Sequence, residues 1–389
     1  MLAAADRAFD RAVDVRRAIH AQPELAFEEH ATTALVKNRL ADLGLRELPC
    51  PTETGAVFEL GGGRPGRSVL LRADIDALPV GEEVDVSFRS RVDGQMHACG
   101  HDAHVAILLA TAEVLAARAG ELPGSYVFLF QPGEEFGFGA SRMIEGGVLE
   151  GFHADRCLGL HVAAPLPTGL VGVRAGVQYS RAQQFSVTLS GAGAHAAMAG
   201  ADGNVVLAVA SLASRLAAVV EDLEYEWVNC ACSAGVIRAG TASNVVPRQA
   251  SLEGTFRTFN DEQYGTASER LRALCAAVEV EFSVKADLRL APVIPEVVND
   301  AASVEVFRAA ATAAIGAANV FEAPPVQPSD DVSEFLRRIP GVYYLLGARP
   351  GTRNPPMHHA PDFAIDEECL RVGTRTMVAG AIGLATPGD

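Results

Sequence analysis

The sequence lacks any run of apolar residues long enough to cross a membrane, so no spanning helix is expected. Its first 29 residues break their apolar positions with Asp, Arg and Glu at helical spacing, which leaves no signal-peptide core. Clusters of Lys and Arg are also missing. With 48 acidic against 32 basic residues and a formal net charge of -16, the chain has no basic stripe to offer a phosphate backbone, which argues against nucleic acid as a partner. Seven cysteines spread over 389 residues are odd in number and make no disulfide framework, so a reducing cytoplasm is the expected location. Repeats and low-complexity tracts are absent apart from Gly61-Gly62-Gly63, which reads as a hairpin tip or loop.

What is present can build a large interior. At 389 residues, 49% hydrophobic and 21% charged, the chain is too long for one ordinary core, and a soluble two-domain protein is expected. Its acidity mainly favours solubility. Ser68 to Ala73 and Tyr126 to Phe130 are short apolar runs that read as buried strands. Between them, Ala103 to Ala119 puts Val105, Leu108, Leu109, Ala112, Leu115 and Ala116 on one helical face and stops at Gly120. Cys157 to His161 and Gly341 to Gly347 read as further strands. The alternation of strand, helix and strand predicts an α/β fold with a mostly parallel sheet, whose ligands gather just beyond strand ends.

The middle follows another order. Phe185 to Ser190 reads as a strand, Asn204 to Val220 as a helix, Val228 to Arg238 and Gln249 to Phe259 as strands, Asp261 to Val278 as a helix and Val280 to Leu288 as a strand. This β-α-β-β-α-β order is that of a ferredoxin-like unit. It predicts an inserted domain at residues 181–292, flanked by a discontinuous domain of residues 1–180 and 293–389.

The chemistry-bearing residues sit at a few sharp turns: His97-Ala98-Cys99-Gly100-His101-Asp102, Gln131-Pro132-Gly133-Glu134-Glu135, His161, and His358-His359 in a loop marked by Pro355, Pro356 and Pro361. Soft and borderline ligands beside paired carboxylates are what a hydrolytic metal centre requires. Cys99 and His101, one residue apart, would leave the same face of an extended loop. Taken singly, each has a plainer reading: a buried thiol beside a structural histidine, a solvated acidic turn, a histidine that only packs. The apolar run Tyr126 to Phe130 anchors Glu134-Glu135 in the core, and adjacent carboxylates there project apart, one able to hold a metal while the other faces substrate. Convergence of all of them favours the metal.

These residues resemble a known family. Arg17-Ala18-Ile19-His20 with Pro23-Glu24-Leu25, Arg72-Ala73-Asp74-Ile75-Asp76-Ala77-Leu78-Pro79, Met96 to Asp102, Phe130 to Glu135, Gly159-Leu160-His161, Ala194 to Met198 and Ser243 to Pro247 occur in order over most of the chain. The series is similar to the dinuclear metallo-aminohydrolases and metallopeptidases related to carboxypeptidase G and aminoacylase, in the branch of hippurate hydrolases and auxin–amino acid conjugate hydrolases. The resemblance implies that Cys99, His101, Glu135, His161 and His359 hold two divalent ions, with His358 as rival to His359. Zinc or manganese suits such ligands, and cobalt or nickel is compatible. It implies that Glu134 is the general base, that Asp74 lies beside the metals without ligating them, and that Asn244 and Arg257 hold a substrate carboxylate, although Arg257 could be only an exposed charge on its strand. His195 would reach the oxyanion of a partner subunit's site, which makes the inserted domain a lid and dimerisation domain and the protein a homodimer; the plainer reading of His195 is loop structure among small residues. Two departures stand out: Gly133 where Ala is usual, and Ala199-Gly200 where Pro-His is common.

The implied reaction is cleavage of the amide bond of a small N-acyl amino acid. A water between the two ions, its pKa lowered towards ~7, would lose its proton to Glu134 as it attacks the carbonyl, and Glu134 would pass that proton to the leaving amine. A dipeptidase or carboxypeptidase is the near alternative, and a non-catalytic binding protein the remote one, since it would lack a ligand or the base. Other features are set aside. Cys230-Ala231-Cys232 lacks the second pair of a zinc site, Gly61 to Gly66 lacks the sequel of a phosphate loop, and Asp330-Asp331 could approach the metals or cap the helix starting near Val332.

Overall fold

The apolar runs form the middle of one large sheet. In the computed structural model, which describes residues 1–351 and 357–387, eight strands lie in the order Arg46–Leu48, Ala56–Gly61, Pro123–Gln131, Arg64–Asp74, Arg156–Pro167, Gly341–Arg349, Val171–Val173 and Val320–Glu322. The four central strands run parallel, and antiparallel pairs flank them. Tyr126, Val127, Phe128, Leu129 and Phe130 are all buried, as expected of a strand covered on both faces. The sheet belongs to a unit made of Met1–Gln178, Val298–Pro324 and the chain from Asp331 on.

The helix that links the two inner strands runs His101–Ala116, two residues earlier at its start and three earlier at its end than its apolar face suggested. It is buried nearly all round, because the helices Leu2–His20 and Glu368–Ala385 as well as the sheet pack against it. Gly62 and Gly63 form a loop and not a hairpin tip, since the strands on either side are separated in the sheet by Pro123–Gln131. Pro355 and Pro356 lie outside the described residues. All seven cysteines are free, and among the described residues no helix is long and apolar enough to cross a membrane.

The second unit comprises Tyr179–Val297 and Pro325–Asp330. Its four-stranded antiparallel sheet has the order Ala231–Ala239, Gln249–Thr258, Arg181–Ser190, Lys285–Leu290, the arrangement of the ferredoxin-like unit. Three details differ from the sequence pattern. The helix Val205–Ser214 gives way at Arg215 to a short 3-10 turn, Leu216–Val219. Val228–Asn229 belongs to a separate small hairpin with Glu224–Tyr225, whose tip exposes the single tryptophan, Trp227. Val280 is not in a strand, for the helix Asp261–Phe282 continues through it and ends where Ser283 takes a left-handed conformation at φ 51°. Val278 and Phe282 are buried while Val280 is exposed, so a period of two in the sequence hides the helical one.

In the first unit, buried charge ties three helices together. Asp102 Oδ2 accepts from Arg16 Nε at 2.8 Å and from His20 Nδ1 at 2.7 Å. His20 Nε2 faces Glu82 Oε1 at 3.2 Å, and Arg16 Nη1 reaches Glu367 Oε1 at 3.2 Å. Burial opposes the charge on His20, but Asp102 and Glu82 outweigh it and raise its pKa. Burial likewise opposes the charge on Asp102, but Arg16 and His20 outweigh it and hold the carboxyl below the usual range. A raised imidazole stabilises below about pH 6.5, and that contribution fades as pH rises through the folded value. A depressed carboxyl stabilises above about pH 4, and that contribution fades as pH falls, so the network is fully effective between the two. Asp102→Asn removes the carboxylate that Arg16 and His20 share and leaves each with one more distant acidic partner, and should cost about 3–5 kcal/mol. Glu113→Gln, which breaks the exposed pair with Arg11, should cost less than about 1 kcal/mol. Urea unfolding at pH 6 compares the two, and equal losses would show that the buried network does not hold the helices.

Candidate metal centre

His161 lies within the strand Arg156–Pro167, which runs on past the expected end at His161, and the other candidate ligands sit in turns and loops between regular elements or, as His101 does, at the first residue of a helix. The helix His101–Ala116 starts at His101 itself, and Gly100 before it has φ 91°, in the left-handed region. A Cβ at Gly100 would collide with Val162 Cγ2, so only glycine permits this close entry into the helix. Cys99 and His101 are therefore brought together by a turn and not, as the spacing suggested, by an extended loop. Cys99 Sγ lies 3.5 Å from His161 Nε2. His161 Nδ1 donates to the carbonyl of Val162 at 2.7 Å, which leaves Nε2 with its lone pair towards the sulfur. Cys99, His101 and His161 together form a cluster of metal-ligand spacing.

Cys99, Glu135 and His359 form a second cluster, with His359 Nε2 3.4 Å from Glu135 Oε1. His359 has φ 68°, unusual for a residue with a side chain, and its N–H donates to the carbonyl of Ala98 at 2.8 Å. His358 stands differently. Its Nε2 accepts the N–H of Ala164 at 3.3 Å and its Nδ1 faces Cys99 Sγ at 3.7 Å. A neutral ring so placed carries its proton on Nδ1, pointing at the sulfur.

His101 is the hub. Its Nδ1 donates to the carbonyl of Asp76 at 3.0 Å. Its fully buried Nε2 has no hydrogen-bond partner and lies 3.7, 4.0 and 3.8 Å from carboxylate oxygens of Asp74, Glu134 and Glu135. Burial opposes protonation of His101, yet Asp74, Asp76 and Glu135 outweigh it and push the imidazole up to about 10. Burial, with Glu135 and Glu134 adding to it, raises the Cys99 thiol well above its usual range. An unpartnered imidazole nitrogen, a thiol and facing carboxylates fit divalent cations, because a cation supplies the positive charge that protons otherwise must.

The sequence did not reveal how Asp74 is tied down. Its Oδ2 accepts from Arg72 Nη1 at 2.6 Å and its Oδ1 from His104 Nδ1 at 2.5 Å. His104 Nε2 accepts the N–H of Val162 at 3.0 Å, so both ring nitrogens are in use. The spacing of His101 and His104, three apart on one helix face, is the signal that could have found this residue. Asp331 does not cap the helix Ser333–Leu336 with its side chain. Its Oδ1 accepts from Arg72 Nη2 at 3.0 Å and from Gln131 Nε2 at 2.7 Å.

The remaining candidates lie on the second unit. The short strand Ala194–His195 pairs with Val245–Val246, and just before the latter the carbonyl of Asn244 accepts the N–H of Ala196 at 3.0 Å. His195 is exposed, and its Nδ1 accepts the N–H of Ala197 at 3.2 Å. A cleft of about 490 Å³ beside them is lined by Ala196, Asn204, Leu207, Ser243 and Val245. Arg257 lies on another strand, with Nη1 2.5 Å from Ser329 Oγ. Neither Cys230 nor Cys232 belongs to a ligand cluster among the described residues.

Residues 70–381 match the family model described as peptidase family M20/M25/M40. An N-acetylcysteine deacetylase of Bacillus subtilis is 35% identical over 373 residues, which cover 95% of this chain and 96% of that protein. An IAA-amino acid hydrolase of Arabidopsis thaliana is 35% identical over 382 residues, covering 94% and 83%. Among solved structures, a B. subtilis protein described as a dinuclear metal binding peptidase from the M20 family superposes with a TM-score of 0.81 at 31% identity, covering 97% of this chain and 98% of its own.

A metal takes imidazole neutral and sulfur as thiolate, so ligation must expel the protons that the metal-free pocket retains on His101 and Cys99. Zinc titrated into metal-free protein at pH 7 should release on the order of two protons per molecule, and affinity should fall as pH is lowered. Proton uptake measured in weakly buffered solution, or a pH-independent affinity, would show that these two groups are not ligands.

Proposed function

This chain belongs to peptidase family M20/M25/M40 and is a hydrolase of amide bonds, and from that membership we propose that it removes a small acyl group from an N-acyl amino acid with a free carboxylate. The observation that carries the reading is the pair of ligand clusters that share Cys99 and adjoin Glu134. In this reading His101 and His161 hold one divalent ion, Glu135 and His359 hold the second, and Cys99 lies between them. Zinc or manganese best matches this donor set, and cobalt or nickel is compatible. Two bound ions would lower the pKa of a water and polarise the amide carbonyl.

The chain's own groups do the rest. Glu134, beside His101 but with its neighbour Glu135 taken by the metal, accepts the proton of the attacking water and returns it to the departing nitrogen. His358, whose ring proton points at Cys99, supports the sulfur while His359 ligates. His195 accepts a backbone N–H at Nδ1, so its neutral ring carries the proton on exposed Nε2, the state needed to donate to an oxyanion. Asn244 and Arg257 hold the substrate carboxylate. The unit that bears these residues acts as lid and dimerisation domain. Support for the homodimer comes from its open edge strand, Ala231–Ala239, and from the exposed Ile237, Leu207, Val245 and Met198.

A peptidase reading is favoured by the similar dinuclear metal peptidase structure, and the two readings share a scissile amide next to a free carboxylate. Turnover of N-acetyl, N-benzoyl and indole-acetyl amino acids against dipeptides and C-terminal-carboxylate peptides separates them. Faster cleavage of the peptides would replace the proposed substrate class.

Glu134→Gln should lower kcat by about 10²–10⁴-fold or more while keeping its metals, because it removes proton transfer and not ligation. Near-normal turnover in that variant would end the assignment. His195→Ala and Glu134→Gln should each be nearly inactive as homodimers. Mixed under conditions of subunit exchange they should regain activity, since one site in each heterodimer pairs an intact Glu134 with an intact His195. A mixture that exchanges but stays inactive would rule out catalysis across the dimer.

A further inference from the structure

The turn that carries Glu134 and Glu135 is held largely by side chains from elsewhere. Three buried carboxylates each accept a backbone N–H from it or its continuation: Glu29 Oε1 from Gly133, Asp76 Oδ2 from Glu135 and Asp331 Oδ2 from Ala140, each at 2.9 Å. Asp76 contacts His101 and Asp331 contacts Arg72, so both belong to the centre already described. Glu29 does not. It is fully buried in the loop before the helix His30–Asp42, and its other oxygen accepts the Thr54 hydroxyl at 2.6 Å. Nothing in the ligand clusters or the proton transfer requires it.

Two residues before it, Phe27 adopts φ 65°, in the left-handed region. Three carbons of its ring lie 2.5, 2.8 and 2.9 Å from where a Cβ on Gly133 would stand, and Gly133 itself has φ 67°. The Phe27 ring is itself held, for the Arg142 guanidinium stacks on it 4.0 Å from the centroid. The residue immediately before Glu134 is thus fixed twice, by a hydrogen bond to its N–H and by an aromatic ring against its Cα.

We propose that Phe27 and Glu29 are positioning residues that clamp Gly133 and thereby aim the carboxylate of Glu134. The inference rests on the reading of Glu134 as the base. A proton-transferring group must be held within about 0.5 Å and 10–20° of its working geometry. One flexible residue before it, with an unheld N–H, would lose that. The Phe27 ring also explains why glycine stands at 133, where the resemblance led one to expect alanine: the space of the methyl group is occupied.

The test separates the acceptor from the charge. Glu29→Gln keeps an oxygen for Gly133 and a polar group for Thr54, and should retain kcat within a few-fold. Glu29→Leu removes the acceptor and should lower kcat about 10–100-fold, with KM and metal content close to those of the parent protein. Amide hydrogen exchange at Gly133 should accelerate in Glu29→Leu and not in Glu29→Gln. Equal damage in the two variants, or unchanged Gly133 exchange in Glu29→Leu, overturns the clamp. If Glu29→Leu does not fold, Phe27→Ala supplies the second arm: it should lower kcat with metal content kept and accelerate amide exchange at Gly133, because it removes the ring that the glycine packs against. A folded Phe27→Ala variant with parental kcat and unchanged Gly133 exchange overturns the proposal. Failure of the base assignment is read separately, as an active Glu134→Gln enzyme, and leaves the exchange result at Gly133 standing.

Discussion

Carboxylates converging where water cannot screen them set the terms for the rest of this structure. Asp74, Glu134 and Glu135 all approach one imidazole nitrogen of His101 within 4.0 Å, and Asp76 lies against the other. Oxygens of Glu134 and Glu135 lie within 4.8 Å of each other, and near that distance two like unit charges repel by about 3–4 kcal/mol even at an effective dielectric constant of about 20. The protein balances part of this with Arg72, which lies on Asp74 and Asp331, and His104 adds a hydrogen bond to Asp74. The remainder, facing Cys99, His161 and His359, is left for divalent ions.

That division fixes the atoms around His101. Both oxygens of Asp74 accept hydrogen bonds, from Arg72 and His104, which hold this carboxylate in place beside the imidazole. The sulfur of Cys99 is common to two groups of ligand spacing, one with His101 and His161 and one with Glu135 and His359. The backbone follows the same need. Left-handed conformations at Gly100, Gly133 and His359 occur in the three turns that deliver ligands or base, because no regular helix or strand could bring those side chains to one point.

Much of this was legible in the sequence, for physical reasons that can be named. Tyr126 to Phe130 is apolar without interruption and Val69 to Ala73 is broken only by the buried Arg72, the pattern of strands covered on both faces. The residue types at Cys99, His101, Glu134, Glu135 and His161 pointed to a metal by chemistry, whereas only the resemblance set His359 above His358. Their assembly was not legible. Glu29 and Gly133 are 104 residues apart and Arg72 and Asp331 are 259 apart, and no local periodicity encodes such pairings. Val280 misled because an exposed β-branched residue near the end of a helix looks like the start of a strand. Glycine at 133 read as a departure from the family, whereas its reason lay in Phe27, which is far away in sequence but adjacent in space.

The chain order of the catalytic unit has a consequence for biosynthesis. Its sheet is completed by Gly341–Arg349, its second ligand cluster by His359, and its helical layer by Glu368–Ala385, which packs on Leu2–His20. The residues between Tyr179 and Val297, by contrast, are nearly the whole of the other unit and are contiguous. On a ribosome nearly all of that unit emerges while the first unit is still missing a central strand, and domains fold as units when their residues are available. A nascent chain therefore carries the edge of Arg156–Pro167 without its parallel partner until Gly341–Arg349 has been made.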